Sequence, residues 1–289
     1  MTEQQVAPGL TVVIPCRNAR ATLGEQLAAL SAQRTAFSWE VIVIDDRSTD
    51  GSADLARSFA ERLPQLRVLV NQRHRGAASS RNQGARCARG RALLFLDADD
   101  VVGPGYLQAM GEGLAERVLV CPVLDFSSLN DPRELAGSPR PMPSRPYRMF
   151  GFLPHAGAGG LGVRRDVFLE LGGFDESIRW LHDADLCWRA RLALGHELHV
   201  VDEAVLLLRL RQGLLALYRQ GVSNGCDGMV LRREYADYGI PWTTWSRHLR
   251  QWRTTAEELT RLRRPEGRRA FAWRLGKQVG RLQGMLAKE

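Results

Sequence analysis

The chain has 289 residues, 44% apolar and 25% charged, ordinary for a globular protein long enough to bury one large core, with or without an appendage. Residues 1–9 lack a basic stretch followed by an apolar one, and no run approaches the ~18 apolar residues of a membrane helix, so neither secretion nor a membrane span is expected. The formal charge of +8 is concentrated: residues 241–289 hold 12 Lys or Arg against 4 Asp or Glu, which leaves residues 1–240 neutral. That asymmetry directs the basic segment at something anionic and argues against a nucleic-acid-binding core. Five scattered cysteines, Cys16, Cys87, Cys121, Cys187 and Cys226, form no Cys-x-x-Cys pair and read as reduced thiols of a cytosolic protein.

Leu10 to Ile14 is a β-branched run stopped by Pro15, and Trp39 to Ile44 is a second, stopped by Asp45-Asp46. Both read as buried strands. Leu23, Leu27 and Leu30 lie at helical spacing between them, and Ala53 to Leu63 is again helical. A third strand over Leu66 to Val70, a small-residue helix over Gly76 to Ala88 and a strand over Ala92 to Leu96 complete a βαβαβαβ alternation. This predicts a mainly parallel, doubly wound α/β sheet. Met110 to Glu116 reads as a helix and Val118 to Leu124 as a strand. Residues 131–146 hold five of the 13 prolines and read as a mobile surface loop. Asp183 to Leu194 is helical and stopped by Gly195; strands follow over Leu198 to Val201 and Ala204 to Leu208, then helices from Leu214 to about Tyr235.

Residues 241–289 differ in kind. Trp242, Trp245, Leu249 and Trp252 form a stripe at helical spacing, with Arg247, Arg250 and Arg253 largely elsewhere. A second helix places Phe271, Leu275, Val279, Leu282 and Leu286 on one side, and Gly276, Gly280 and Gly284 give a weak signal of close helix packing. Two readings stay open: basic amphipathic helices at an anionic membrane surface, or helices packed on the preceding domain with a solvated basic face.

The residues with most chemistry are Asp97, Asp99 and Asp100, directly after the fourth strand. In an open α/β sheet the carboxyl ends of the strands form the ligand-binding rim, and carboxylates crowded there repel unless a cation or donor-rich ligand sits between them. A solvated acidic turn is the bland alternative. The same rim would carry Pro15, Arg17 and Asn18, then Asp45 and Asp46, then Asn71, Arg75, Arg81 and Asn82.

With these residues in place, the sequence resembles the family 2 glycosyltransferases of the GT-A fold over most of residues 10–235. The stretches that carry the likeness are TVVIPCRN, EVIVIDDRSTDGS, RGAASSRNQGARCARGRALLFLDADD, GVRRDVFLELGGFDE and HDADLCWR, five pieces in the family's order. The resemblance implies a GT-A domain over residues 1–240, a Rossmann-like sheet with flanking helices, followed by a basic, Trp-rich helical extension over 241–289. It implies a nucleotide-sugar site built from Pro15, Arg17, Asn18, Asp45, Asp46, Arg75, Arg81, Asp97, Ala98 and Asp99, with Mn²⁺ or Mg²⁺ held by Asp97 and Asp99. Asp183 takes the place of the family's general base.

Physical roles agree with these assignments while leaving some choices open. Asp45 or Asp46 can accept from a base and ribose, or one of them can cap the next helix through the turn that runs to Asp50. Asp183 lies in the first turn of its helix, where the dipole favours an ionised carboxylate. Asp185, four residues before Arg189, reads as a helix-surface ion pair. Trp180 suits either sugar stacking or the core, and Arg75 and Arg81 suit either an anion or ordinary surface. On the acceptor side the expected residues are Trp180, His182 and Arg164. Two departures stand out: His182 replaces the family's usual Glu, and Leu207-Leu208-Arg209-Leu210-Arg211 stands where many relatives place a metal-binding His.

The function implied is an inverting, metal-assisted transfer of a sugar from a nucleoside-diphosphate donor, a UDP-sugar foremost, to a hydroxyl of a glycan, lipid-linked or small-molecule acceptor. The expected setting is cytoplasmic, with peripheral docking on the inner membrane face and no nucleic-acid partner. A non-catalytic nucleotide-sugar-binding or scaffolding relative is the alternative. A nicotinamide-dependent Rossmann enzyme is disfavoured, since no G-x-G-x-x-G follows the first strand.

Overall fold

The computed structural model describes residues 9–71, 76–136, 143–242 and 245–286. In chain order the first half runs β1 (Leu10–Cys16), α1 (Arg20–Ser31), β2 (Trp39–Asp45), α2 (Ser52–Arg57), β3 (Leu66–Val70), α3 (Gly76–Cys87), β4 (Ala92–Phe95), β5 (Val101–Val102), α4 (Tyr106–Glu116) and β6 (Leu119–Asp125). The second half runs α5 (Pro132–Ala136), β7 (Tyr147–Arg148), β8 (Pro154–His155), β9 (Gly162–Arg164), α6 (Arg165–Glu170), α7 (His182–Leu194), β10 (Leu198–Leu207), α8 (Leu214–Glu234), α9 (Trp245–Glu257) and α10 (Pro265–Leu286).

Eight strands form one sheet in the order β3-β2-β1-β4-β9-β6-β10-β5. β3, β2, β1 and β4 are mutually parallel, as are β6 and β10. β9 runs antiparallel to both β4 and β6, and β5 runs antiparallel to β10. The sheet is therefore mainly parallel, and its strand ends gather on one rim. Pro15 is tolerated inside β1 because the β4 ladder ends opposite Val13, so the missing N–H lies past the last rung.

The apolar runs are continuous because both faces of the sheet are covered. Val13, Ile42, Ile44, Leu93 and Phe95 point to one side, packed with Phe168 of α6 and Trp188 of α7. Val12, Ile14, Val41, Val43 and Leu94 point to the other, against Leu23 and Leu27 of α1 and Leu107 and Met110 of α4. Each such fully buried aliphatic side chain contributes about 1.5–3 kcal/mol.

Three expectations change in detail. The helix after β2 stops at Arg57, and Phe59 and Ala60 then donate to carbonyls three residues back, a tightening that leads into Pro64 and its disfavoured helical approach. The two strands expected after α7 are one, β10, with a shift in register between Val201 and Val205. Within the proline-rich stretch Pro132–Ala136 forms α5, while 137–142 lie outside the described residues. Gly195, at φ +74°, ends α7 where the sequence places the stop.

The C-terminal helices extend this frame. α10 lies along α8 with backbones in close approach: a Cβ on Gly280 would stand 1.9 Å from the Val222 carbonyl oxygen, and one on Gly225 2.2 Å from that of Lys277. The glycine signal thus marks a helix seam, and α10 packs on the body of the protein. Among the described residues no helix is long and apolar enough to cross a membrane.

Candidate active site

β4 ends at Phe95 and the chain turns at once, so Asp97, Asp99 and Asp100 leave the same strand end. One oxygen from each lies within 4.8 Å of the others. The crowding has an electrostatic cost: desolvation pushes the Asp99 and Asp100 carboxyls up, although Asp99 still reaches solvent while Asp100 is buried, and the neighbouring Asp97 charge pushes both further. Acceptor-only oxygens gathered this closely fit a hard divalent cation, which needs few protein ligands when phosphate supplies the rest. Asp100 is a third member beyond the expected Asp97 and Asp99. It is buried, and its Oδ1 accepts the Arg209 N–H at 3.0 Å.

Two devices hold this corner, and sequence reading found neither. Gln26 of α1 donates from Nε2 to the Asp97 carbonyl at 3.3 Å and accepts the Val102 N–H at 3.1 Å, gripping the turn on both sides. Opposite, the loop before β9 passes so close that a Cβ on Gly159 would stand 2.8 Å from Asp97 Oδ2 and 3.3 Å from Asp100 Oδ2. A side chain there would have to push the Asp97 and Asp100 carboxylates aside. Its trace in the sequence is the run Gly157-Ala158-Gly159-Gly160.

Along the rim, Asp45 and Asp46 are both buried at the end of β2. Asp45 accepts the Ser48 N–H at 3.2 Å, and Asp46 Oδ1 accepts from Asn71 Nδ2 at 3.0 Å. The residue that fastens the start of α2 is Asp50, which takes the Ser52 N–H at 3.0 Å and the Arg20 N–H at 2.9 Å. Arg17 is exposed at the mouth. Asn18, also exposed, accepts the Thr49 N–H at 2.8 Å and so braces the β1 loop on the β2 loop. Ala98 is buried between the two rim aspartates. Arg75 lies outside the described residues.

The second centre meets the first through Arg81. This buried side chain of α3 donates from Nη2 to Asp97 Oδ1 and approaches His182 Nε2 from Nη1 at 2.9 Å. A guanidinium only donates, so Nε2 accepts and the imidazole proton sits on Nδ1. Burial, and then the Arg81 charge, push the His182 pKa down to about 3, and the ring stays neutral. A Glu at this position would compete for the Arg81 charge; neutral His182 leaves that charge to Asp97.

Asp183, next along α7, is half-buried. Its Oδ2 accepts the Ala158 N–H at 3.2 Å and its Oδ1 the Ala184 N–H at 2.7 Å. The glycine-rich loop that touches Asp97 thus also holds Asp183. Burial raises the Asp183 pKa to about 6, against the lowering pull of those two N–H groups and Arg81, so desolvation outweighs the helix-end stabilisation expected from sequence. Trp180 is half-buried, with the Arg211 guanidinium 5.4 Å from its ring centre. Arg211 also lowers the Asp99 pKa electrostatically, and the Arg209 Nε donates to the Asp99 carbonyl at 3.1 Å. Two arginines therefore border the acidic cluster where many relatives place a His.

Two sequence expectations take a different position. Asp185 does pair with Arg189, at 2.9 Å to Nε, but the pair is no surface feature: Asp185 is buried and accepts the Tyr235 hydroxyl at 2.7 Å, tying α7 to α8. Arg164 is not brought to this rim. Because β9 runs antiparallel, Arg164 pairs in register with Ala92 at the start of β4, the end of the sheet away from Asp97, and forms an ion pair with Asp166 at 2.7 Å.

A mainly parallel sheet with an acidic cluster at its carboxyl rim, and a second carboxylate held by the glycine-rich loop that also abuts the cluster, has the architecture of a GT-A type fold. The Glycosyl transferase family 2 profile matches residues 11–172, and the chain belongs to that family. It is similar to validoxylamine A glucosyltransferase of Streptomyces hygroscopicus subsp. jinggangensis, 41% identical over 120 residues, 39% of this chain and 28% of that protein. It is also similar to the UDP-Glc:alpha-D-GlcNAc-diphosphoundecaprenol beta-1,3-glucosyltransferase WfgD of Escherichia coli, 32% identical over 92 residues, 32% of this chain and 35% of that one. The matched region thus spans about a third or less of these two relatives. Among solved structures, the mannosyltransferase PcManGT from Pyrobaculum calidifontis, in complex with GDP-Man and Mn²⁺, superposes with a TM-score of 0.64 over 99% of this chain and 89% of its own, at 16% identity. That likeness concerns the fold.

Proposed function

We propose that the chain is an inverting glycosyltransferase that moves a sugar from a nucleoside-diphosphate donor, a UDP-sugar foremost, to an acceptor hydroxyl. The observation that carries this reading is the joint grip of one loop on both centres: Ala158 donates to Asp183 while Gly159 abuts Asp97. A donor held at the acidic rim and a base beside the acceptor hydroxyl are then fixed relative to each other, which is the positioning that displacement at the sugar C1 requires.

Asp183 accepts the proton of the acceptor hydroxyl, and a pKa of about 6 leaves it ionised yet basic enough near neutrality. Asp97, Asp99 and Asp100 would hold Mn²⁺ or Mg²⁺, and such an ion would supply charge neutralisation at the donor diphosphate. Asp45 and Asp46 face the base and ribose. Arg209 and Arg211 oppose the negative charge that builds on the departing nucleoside diphosphate. Trp180 borders the acceptor side. Residues 1–240 form the transferase domain in this reading, and residues 241–289 an extension that brings it to the cytoplasmic face of a membrane carrying a lipid-linked acceptor. The E. coli relative, whose name specifies a diphosphoundecaprenol-linked acceptor, supports that acceptor class.

The test is donor hydrolysis and transfer with UDP-sugars and Mn²⁺ by the wild type and Asp183→Asn, alongside calorimetric donor binding. Retained binding with lost turnover is the expected result. Binding without turnover in the wild type favours a nucleotide-sugar-binding relative instead.

A further inference from the structure

α9 is an amphipathic helix packed the wrong way round. In a helix on a globular domain the apolar stripe faces the core and the polar side faces water. Here Thr255 is 3% exposed and Glu258, in the turn that follows, 6%, whereas Leu249 is 67%, Leu259 52% and Trp252 38% exposed. The buried polar side has partners on α10: Gln251 accepts from Arg281, and Glu258 lies 3.6 Å from Arg274. Leu249, Trp252 and Ala256 recur at intervals of three and four on α9, and Leu259, exposed in the turn that follows, continues the outward ridge.

The ridge has a charged border. Arg250 and Arg253 are exposed beside it, Arg253 paired with exposed Glu257 at 3.4 Å, and Arg261, which lies 3.9 Å from Glu258, Arg263 and Arg264 continue a net positive run past the helix end. Apolar residues raised above a field of arginines do not suit a neutral protein groove. They match a surface with an apolar interior and an anionic skin.

We propose that the outward ridge of α9 is a docking face for an anionic lipid bilayer, into which Leu249, Trp252 and Leu259 insert while the flanking arginines meet lipid phosphates. This deepens the membrane setting proposed above, and it names the surface that makes the contact. α10, whose Arg269 reaches the Arg211 carbonyl at 3.4 Å and Gln212 Oε1 at 3.3 Å, connects this face to the loop that carries Arg209 and Arg211.

The experiment is co-sedimentation of the full chain with vesicles of phosphatidylcholine alone and of phosphatidylcholine with phosphatidylglycerol, at low and high salt. Binding only to the anionic vesicles, weakened by salt, is expected. Leu249→Ser with Leu259→Ser alters outward side chains alone and should reduce partitioning at least about tenfold. Arg250→Gln and Arg253→Gln should each reduce it about fivefold. Quenching of wild-type tryptophan emission by lipids brominated in their chains, diminished in Trp252→Phe, gives a reading that does not depend on the serine variant's folding. No sedimentation of the wild type at low salt overturns the proposal, as does wild-type binding by the double serine variant. A wild-type dimer that the double serine variant dissociates, with no vesicle binding by either, overturns it in favour of a second copy as the occupant. None of these readouts uses turnover, so lipid binding by a protein that hydrolyses no donor would count against the transferase reading and not against this one.

Discussion

Arg81 and His182 meet at 2.9 Å between α3 and α7, and the contact joins the acidic rim to the carboxylate expected to act as base. His182→Ala takes away an acceptor and leaves a buried guanidinium N–H unpaired, at a cost of about 1–3 kcal/mol. His182→Gln, with an amide oxygen able to accept, should recover part of that loss. Urea unfolding of the three proteins checks the order.

At the rim, Asp99→Asn should remove the Mn²⁺-dependent part of UDP binding by calorimetry, with an unchanged far-UV spectrum. Asp100→Asn is expected to differ, because Asp100 also accepts the Arg209 N–H. The amide oxygen can keep that bond while the third negative charge is lost, so metal affinity should fall and the loop should hold. Equal metal titrations in wild type and both variants would remove the cluster from the metal site.

The pH profile follows from Asp183. Its pKa is raised to about 6, so the carboxyl is protonated below that value and ionised above it. A base works ionised; kcat/KM should therefore climb with pH up to about 6 and level off beyond. Asp183→Asn should lose at least ~10²-fold in transfer and the acid limb with it. A profile flat from pH 5 to 8 in the wild type would place the base elsewhere.

Much of this site was legible because parallel strands are simple to read: an apolar run that ends in carboxylates puts them on the rim, whatever follows. The rim positions of Asp97, Asp99, Asp45 and Asp46 come from that rule, and their expected roles from the family resemblance. What periodicity cannot give is direction. Arg164 stands two residues after Gly162 in a motif the family shares, yet β9 runs against its neighbours and carries it to the far end of the sheet. The stripe of Leu249 and Trp252 is equally plain in sequence, but the side on which α9 meets the protein depends on Arg274 and Arg281, about 20–30 residues later. Gln26 acts across 71 and 76 residues of chain and Gly159 across roughly 60, and no local pattern announces such partners.

The seam between α8 and α10 gives the last prediction, since its glycines leave no room for a side chain. A Cβ on Gly276 would stand 2.2 Å from the Tyr218 carbonyl oxygen and one on Gly280 1.9 Å from that of Val222, both backbone atoms that cannot rotate away. At Gly284 the nearest atom is the Met229 Cβ, at 2.9 Å, with the Cys226 carbonyl oxygen at 3.0 Å, so less movement is needed. Gly280→Val should therefore destabilise by about 1–3 kcal/mol or more through overpacking, and Gly284→Ala by less. The larger variant must move α10 off α8, and with it the Arg269 contacts to Arg211 and Gln212. The loop bearing the two arginines would then be held less firmly beside the acidic cluster. Donor KM should rise in Gly280→Val, measured well below its melting temperature, while Gly284→Ala keeps the wild-type KM. A Gly280→Val protein that melts with the wild type would show that the two helices do not pack this closely in solution.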